Sequence, residues 1–321
     1  MSDNSSNKVV IFGLENDASV FTNSSWVEYC TFGLYQLPQT LIKFFRNEPV
    51  ILNNKTCHNY SLEALHNNTI HLSPPSVFND PFDGTLKISF NTYLKRLIKD
   101  FKNEFGLEVP QTLSDEKIIE YIYERIETGQ TLDEFVSQIH QWHREEKNKL
   151  QNMGVCCFTD PEMRTSNLMW AHYANNHQGF CIEYQLPEHP INMDVDWLSG
   201  LDPWKRSFLT HIFPVAYSEK RMDFSQKWPD MDSIIKNSGD YSDVFPYYQY
   251  GLITKGIEWS YEREWRFIYP PVIEATKEKY PLTSRLKSGG NLEFFPIKNV
   301  YLGYRMSQEA KNAIFEIIGN I

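Results

Sequence analysis

Residues 259–268 read Trp-Ser-Tyr-Glu-Arg-Glu-Trp-Arg-Phe-Ile, and their alternation from residue 264 onward is that of a β-strand. Successive side chains of a strand point to opposite faces. The two faces would carry Glu264, Arg266 and Ile268 on one side and Trp265, Phe267 and Tyr269 on the other. We expect the aromatic face to be buried and the charged face to carry chemistry, with Glu262 joining it if that residue is also extended.

A structural interpretation of the same strand stays open. A strand with one polar face is ordinary in an antiparallel sheet, so Glu262, Glu264 and Arg266 could pair on a solvated surface. Ion pairs of that kind contribute little to stability.

The composition predicts a globular protein with a sizeable core. The 321 residues suffice for one large domain or two ordinary ones, and 41% of them are hydrophobic and 15% aromatic. A net charge of −10 argues against a general binder of the phosphate backbone, although a local basic groove could exist on an acidic protein.

Cysteine usage indicates a reducing compartment. The five cysteines include the neighbours Cys156 and Cys157 and show neither a CxxC repeat nor the spacing of a disulfide framework. The sequence shows no signal peptide and no run of about 18 apolar residues. We therefore expect a cytoplasmic protein without a membrane partner.

The order of elements predicts an α+β fold. We expect an irregular N-terminal arm over residues 1–38 and a single domain over 39–321, built on a central twisted mixed sheet. A helical insertion is predicted at about 88–150 and an irregular excursion at about 186–250. Predicted strands cover 41–46, 69–73, 154–159, 179–184, 264–269 and 300–303, and predicted helices cover 60–67, 168–174 and the residues after Ser307. The core face of that closing helix would be Ala310, Ala313, Ile314, Ile317 and Ile318.

Several familiar catalytic motifs are absent from the sequence: GxGxxG after a strand, GxxxxGK[ST], HExxH and GxSxG. A thiol nucleophile could form if Cys156 or Cys157 met His172 or His177. Cysteines in apolar strands are more often inert core residues, which makes this the weaker hypothesis.

Metal binding is not expected. The candidate ligands are Cys157, His172, His177 and Cys181, and His140 with His143. The first set matches no common zinc spacing, and the second is a helical i, i+3 pair without evident partners.

The segment that begins at residue 169 places Met169, His172 and Tyr173 on one helical face, at i, i+3 and i+4. These side chains could line a site. The alternative is that they pack against the sheet, with the His172 ring bonded to a backbone carbonyl.

Five segments occur in a characteristic order. They are Leu-Ile-Lys-Phe-Phe-Arg at 41–46, Leu-Ser-Pro-Pro-Ser-Val-Phe-Asn-Asp-Pro-Phe-Asp at 72–83, Val-Cys-Cys-Phe-Thr at 155–159, Met-Trp-Ala-His-Tyr-Ala-Asn-Asn-His-Gln-Gly-Phe-Cys-Ile-Glu at 169–183 and Tyr-Glu-Arg-Glu-Trp-Arg at 261–266. The ordered set resembles the bacterial domain of unknown function 2971 family over roughly residues 40–318.

Two of these elements, the Cys-Phe-Thr strand and Glu-Arg-Glu-Trp-Arg, are also similar to the DarT-type ADP-ribosyltransferases, which transfer ADP-ribose from NAD to DNA bases. This resemblance implies an ADP-ribosyltransferase-like fold and NAD as a substrate. The acceptor stays open and could be nucleic acid, protein, a small molecule or water.

The resemblance also implies roles for individual residues. Glu264 would be the catalytic acid that favours an oxocarbenium-like ribose, and Glu262 would orient or deprotonate the acceptor. Lys43 or Arg46 would hold the pyrophosphate. The remaining cofactor-binding residues would be Ser73, Asn79, Asp80, Phe82, Thr159, His172, Tyr173 and Arg266, with Phe82 or Tyr173 stacking on the nicotinamide.

Other functions are carried as alternatives. A non-catalytic sensor could use Lys43, Arg46, His172 and Arg266 to bind an anionic, nucleotide-like ligand. A metal-dependent nuclease is less well supported, because no clustered acidic spacing indicates a two-metal site. A role in phage defence or as a toxin rests on the DarT analogy alone.

Overall fold

The computed structural model describes residues 8–11, 14–17, 36–52, 55–80, 83, 117, 137, 141, 144, 148, 153–188, 195–219, 251–269 and 290–319. The strands are β1 Lys8–Ile11, β2 Leu14–Asp17, β3 Thr40–Phe45, β4 Val50–Leu52, β5 Lys55–His58, β6 Thr69–His71, β7 Gly154–Thr159, β8 Phe180–Gln185, β9 Ile212–Pro214, β10 Ala216–Ser218, β11 Thr254–Gly256, β12 Glu264–Tyr269, β13 Asn291–Glu293 and β14 Ile297–Leu302. The α-helices are α1 Tyr60–Asn67, α2 Asn167–Tyr173, α3 Pro203–Thr210 and α4 Gln308–Gly319. Short 3-10 helices cover Pro75–Val77, Pro161–Thr165, Val195–Gly200 and Ile257–Glu262.

The main sheet has six strands in the order β14-β8-β3-β7-β12-β9, and its neighbouring strands pair antiparallel. A four-stranded sheet has the order β11-β10-β1-β2 and includes the parallel pair β10–β11. Two further two-stranded sheets join β13 to β6 and β4 to β5. The predicted α+β class is confirmed. The central sheet was predicted to be mixed, but its described strand pairs are all antiparallel, and the parallel pair lies in the smaller sheet.

The two faces of β12 differ as its alternation predicts. Trp265, Phe267 and Tyr269 lie in the main hydrophobic core, where Phe208 stacks on Phe267 with ring centroids 4.4 Å apart. The opposite face of the sheet is partly covered by α2, whose Trp170 packs edge-on against Phe44 at 5.1 Å. Glu264 and Arg266 lie on this second face, so the sheet separates them from the aromatic core.

Strands β3 and β7 pair over a short length, and their register consists of the single pair Ile42–Thr159. Two residues earlier on β7, the Cys157 carbonyl accepts a hydrogen bond from Lys43 Nζ at 3.0 Å. Two residues before that, Val155 exchanges two backbone hydrogen bonds of 2.9 Å with Ser73. A gap lined by side chains therefore opens between the two strands.

Capping side chains fix the N-termini of α1 and α4. Asn59 caps α1 by accepting the backbone N–H groups of Ser61 and Leu62. Ser307 caps α4, because its hydroxyl oxygen accepts the Ala310 N–H at 3.2 Å, as predicted.

The core face of α4 is confirmed at Ile314, which is fully buried, and at Ala310 and Ile317, which pack against the core. Ile318 was expected on the same face but is 42% exposed. The packed stripe therefore ends one residue earlier than predicted.

Two segments predicted to be irregular contain regular elements. The expected N-terminal arm holds β1 and β2, and β1 pairs with β10. The expected excursion over 186–250 holds α3, β9 and β10. Strands of three or four residues are too short for alternation to show in sequence, and their partners lie far along the chain.

Most of the predicted helical insertion lies outside the described residues. The five described positions between 88 and 150, namely 117, 137, 141, 144 and 148, are helical. His140, His143 and Phe82 also lie outside the described residues.

Candidate functional site

A cavity of about 250 Å³ occupies the gap between β3 and β7 and extends to β12 and α2. Its described lining combines charged and aromatic side chains. These are Lys43, Asp80, Asp83, Lys255, Glu262, Glu264 and Arg266, with Phe44, Phe78, Phe158, Tyr173 and Trp259, and also Ile42, Ser73, Val77, Asn79, Cys157, Thr159 and Met169.

Glu262 reaches the cavity by a route that alternation does not predict. It ends the 3-10 helix Ile257–Glu262 and is not extended, and Arg263 then adopts left-handed backbone angles with φ 46° and ψ 52°. The Thr159 hydroxyl donates to the Glu262 carbonyl and fixes this turn. The extended backbone on which the expectation for Glu262 depended is therefore not found, yet its carboxylate lines the same cavity as Glu264.

Arg266 is the centre of a buried ion cluster. Its Nη1 and Nη2 donate to the two oxygens of Asp83 at 2.5 and 2.6 Å, and its Nε and Nη2 donate to Glu264 at 2.8 and 3.0 Å. Its remaining N–H group donates to the Leu252 carbonyl at 2.6 Å. All five guanidinium donors are therefore used, as a fully buried arginine requires.

Lys255 joins the second glutamate to this cluster. Its Nζ lies 2.6 Å from Glu262 Oε2, 3.3 Å from Glu264 Oε2 and 3.9 Å from Asp83 Oδ2. It also lies 4.7 Å from the centroid of the Trp259 ring, within the range of a cation–π contact. A single ammonium group thus contacts three carboxylates.

The two glutamates have pKa values moved in opposite directions. Burial would raise the pKa of Glu264, but the charges of Arg266 and Lys255 outweigh it and hold that pKa well below its ordinary range. Burial and the neighbouring Glu264 charge raise the pKa of Glu262 to about 7, against the opposing effects of Lys255 and Tyr173. Glu264 is therefore ionised at neutral pH, and Glu262 is divided between its two forms.

Two further lining groups are held in their neutral forms. The Tyr173 hydroxyl donates to Glu262 Oε1, and burial together with the Glu262 charge raises the pKa of Tyr173 far above its ordinary value. Burial and the Glu264 charge likewise raise the pKa of the Cys157 thiol. A protonated thiol is a poor nucleophile, which weighs against the thiol-enzyme hypothesis.

The structure brings together nine of the twelve residues that the sequence singled out. Those that line the cavity are Lys43, Ser73, Asn79, Asp80, Thr159, Tyr173, Glu262, Glu264 and Arg266. Arg46 is exposed at the end of β3, and the exposed His172 ring lies beside Tyr173 and Tyr261, so both stand outside the lining.

Two structural interpretations are wrong. The charged face of β12 is not a solvated surface, because Glu262, Glu264 and Arg266 are each less than 7% exposed. His172 does not pack against the sheet, because its side chain is exposed.

Sequence reasoning missed Asp83, Lys255 and Trp259. A signal for the first was present, since Asp83 ends the Asn-Asp-Pro-Phe-Asp segment of the resemblance. Two glutamates and one arginine on a buried face leave one carboxylate without a cation, which indicates a further cation but does not identify Lys255. Trp259 begins the segment 259–268, but its position beside Lys255 depends on the 3-10 helix.

The described lining of the cavity carries a net negative charge when all of its acids are ionised. Three cations line it, namely Lys43, Lys255 and Arg266. Four carboxylates face them, namely Asp80, Asp83, Glu262 and Glu264. One negative charge remains when all are ionised, and the neighbouring aromatic rings offer faces that attract cations.

The four residues of the sensor alternative do not converge on this cavity. Lys43 and Arg266 line it, whereas Arg46 and His172 lie outside its lining. The Arg266 guanidinium is already fully bonded to protein groups. An anionic ligand therefore finds less positive charge here than the sequence alone indicated.

Within the described part of the chain, no three His, Cys, Asp or Glu side chains are grouped so that they could hold a metal ion. The described helices also include none with the length and apolar character to cross a membrane.

The fold and site define an α+β protein with a buried cluster of three carboxylates and two cations beside a cavity in its main sheet. Residues 169–267 match the model of a family described as a protein of unknown function, DUF2971, which supports the family resemblance drawn from the motifs. The match covers less than a third of the chain and includes Tyr173, Lys255, Glu262, Glu264 and Arg266. No curated protein and no solved structure matches the chain.

Proposed function

We propose that this protein is an NAD-consuming enzyme of the ADP-ribosyltransferase type, which breaks the bond between nicotinamide and ribose. The observation that carries the proposal is the pair of glutamates that line one cavity, Glu264 bonded to both Arg266 and Lys255 and Glu262 to Lys255 alone among these cations, so that their pKa values move in opposite directions. Carboxylates whose environments separate their pKa values are typical of sites where one stabilises charge and the other moves a proton.

The charge of the cavity suits the nicotinamide end of NAD. The oxidised nicotinamide ring is a flat cation, and the described lining offers the Tyr173 ring and one net negative charge when Glu262 is ionised. A volume of about 250 Å³ is at the small end for a ligand pocket, so it suits one ring and its sugar. The pyrophosphate would lie further out, toward Lys43 or Arg46.

The chemistry assigns a different task to each glutamate. When the bond from ribose C1′ to the nicotinamide nitrogen breaks, its electron pair leaves with the ring and positive charge develops on the ribose. The ionised Glu264 carboxylate stabilises that charge in a site that Arg266 and Lys255 preorganise. The acceptor then bonds to C1′, and Glu262 takes the acceptor's proton.

The acceptor and the biological setting follow only from analogy. The similarity to DarT-type enzymes favours nucleic acid as the acceptor and a role in phage defence or as a toxin. Protein, a small molecule or water would use the same two glutamates, since each supplies a proton to Glu262 as it attacks.

The first test follows free nicotinamide by chromatography after the protein is incubated with NAD. We expect Glu262→Gln to lower the rate by about 100-fold or more, because the general base is lost. Glu183→Gln is the matched control, since Glu183 is also buried and also accepts a tyrosine hydroxyl but lies outside the cavity lining. Its rate should equal that of the wild type.

Glu264→Gln should abolish release as well, but its stability must be measured beside its activity, because Glu264 is bonded to Arg266 in the buried cluster. Wild-type protein that releases no nicotinamide, even with cell lysate supplying acceptors, would contradict the proposal. If NAD then raises the melting temperature without being consumed, the protein binds NAD and does not turn it over.

A further inference from the structure

Lys255 lies where the ion pairs of the site meet. Its side chain is 7% exposed, and its ammonium group contacts Glu262, Glu264 and Asp83. Glu264 and Asp83 each have a second cationic partner in Arg266. Glu262 contacts the Lys255 ammonium group at 2.6 Å.

We propose that Lys255 is the positioning residue of this site: its ammonium group couples the Glu262 carboxylate to the ion pairs of Glu264, Arg266 and Asp83, and so sets the pH above which Glu262 is charged. The consequence for activity rests on the proposed function, whereas the effect on the charge of Glu262 does not.

The two carboxylate oxygens of Glu262 have different partners. Oε1 accepts the Tyr173 hydroxyl, and Oε2 accepts Lys255 Nζ. The neutral tyrosine hydroxyl can donate to the ionised carboxylate, or it can accept a hydrogen bond from the protonated carboxyl group. The lysine supplies positive charge, which favours the ionised form alone.

The described groups that act electrostatically on Glu262 come from five elements. They are Tyr173 on α2, Tyr217 on β10, Lys255 on β11, Tyr261 in the 3-10 helix and Glu264 on β12. Asp83 and Arg266 are joined to this set through Lys255 and Glu264. Glu264 opposes ionisation of Glu262 and is itself balanced by Arg266. Removing Lys255 therefore leaves Glu262 beside another carboxylate without its own cation.

Lys255 also ties the charge of Glu262 to its position. Glu262 ends a 3-10 helix and lines the cavity, and the left-handed Arg263 follows it. Lys255 precedes that helix on β11, at the opposite end of the same short segment. The ion pair closes a loop of eight residues and holds the Glu262 carboxylate within reach of an acceptor.

The test is a pH titration of the Glu262 carboxyl carbon by NMR, with its signal identified by its loss in Glu262→Gln. We expect Lys255→Met to raise the titration midpoint by about one to two pH units, since a contact of this length between charges is worth that much in a partly screened site. Lys255→Arg, which keeps the charge, should restore the midpoint to within about half a unit.

Lys205→Met is the matched control. Lys205 forms an i, i+3 pair with Asp202 at 3.3 Å on α3 and lies outside the cavity lining, so its loss should leave the Glu262 midpoint unchanged. Thermal melting shows which variants are folded. If Lys255→Met does not fold, Lys255→Gln decides, because it keeps a hydrogen-bond donor for Glu262 and removes the charge.

A folded Lys255→Met or Lys255→Gln protein with the wild-type midpoint would overturn this inference. The pH profile of nicotinamide release should move upward in parallel with the NMR midpoint. If Lys255→Met shifts the midpoint but the wild-type protein releases no nicotinamide, the role of Lys255 is sustained and the proposed function is rejected. If the wild-type protein releases nicotinamide but Lys255→Met leaves the midpoint unshifted, the proposed function is sustained and the role of Lys255 is rejected.

Discussion

Two buried glutamates in this protein each accept a hydrogen bond from a tyrosine hydroxyl, yet their pKa values move in opposite directions. Glu183 on β8 accepts Tyr301 at 2.6 Å and Asn299 Nδ2 at 2.9 Å, and these bonds outweigh burial and lower its pKa. Glu262 accepts Tyr173, but burial and the charge of Glu264 prevail and raise its pKa to about 7.

A second carboxylate accounts for the difference between the two pKa values. Around Glu183 the neighbouring groups donate hydrogen bonds or carry positive charge, so the ionised form is favoured. Around Glu262 another carboxylate shares the same buried space, and one lysine must serve both. A tyrosine–glutamate bond alone therefore does not raise the pKa of a carboxyl group toward neutrality; the crowded pair of carboxylates does.

The largest effect should come from removing Arg266, the cation that pairs with Asp83 and Glu264. Arg266→Met leaves Asp83 and Glu264 buried without their bidentate partner, and we expect it to lower the free energy of unfolding by about 3–5 kcal/mol. Denaturant unfolding followed by tryptophan fluorescence measures this. A loss below about 1 kcal/mol would show that the cluster is solvated, as surface pairs are.

The second prediction separates the two glutamates by pH. Since folding raises the pKa of Glu262 from 4.5 to about 7, the folded state binds more protons in that window. The contribution of Glu262 is therefore complete below about pH 4.5, and the free energy of unfolding falls by about 3 kcal/mol as the pH rises to about 7.

Glu262→Gln should remove this dependence, as urea unfolding at pH 5 and pH 8 would show. Glu183→Gln should retain it, because a lowered pKa places the titration of Glu183 in acid, where its contribution is lost as the pH falls. Equal slopes in all three proteins would contradict the assignment.

A smaller effect is expected from the tyrosines themselves. Tyr173→Phe removes a donor that favours the ionised Glu262, and the midpoint of Glu262 should rise by about half to one pH unit, the worth of one net hydrogen bond. Tyr301→Phe should act on Glu183 alone. A carboxyl NMR titration of both variants compares them directly, and a shift of Glu262 in Tyr301→Phe would refute the independence of the two regions.

The smallest effect concerns the lysine beside Glu183. Lys298 Nζ lies 3.7 Å from Glu183 Oε1, and its side chain is 47% exposed, unlike the buried Lys255. Lys298→Met should change the free energy of unfolding by less than about 0.5 kcal/mol, and added salt should remove even this difference. Thermal melting at low and high salt measures the contrast with Lys255→Met.

The sequence predicted most of the main sheet, because the longer strands show their alternation. The aromatic and charged faces of β12 were correctly assigned from residues 264–269. The short strands β1, β9 and β10 were missed, since three or four residues carry no clear period and pair with distant parts of the chain.

The site was predicted in its residues more fully than in its geometry. Glu262, Glu264, Arg266 and Tyr173 were identified because the motifs that contain them have a distinctive order. Lys255 was not, since a lone lysine in a three-residue strand has no local signal. Its role depends on the left-handed turn at Arg263, which brings two glutamates within reach of one ammonium group.

Because β3 and β7 separate, the six strands form two groups, β14-β8-β3 and β7-β12-β9, that are only partly joined. Along this junction β7 contacts, in turn, Ile42 through Thr159, the Lys43 ammonium group and the Ser73 backbone. Lys43 thus substitutes for a neighbouring strand. A ligand that draws this ammonium group away must supply another donor to the Cys157 carbonyl, so affinity in the cavity and cohesion of the sheet are thermodynamically linked.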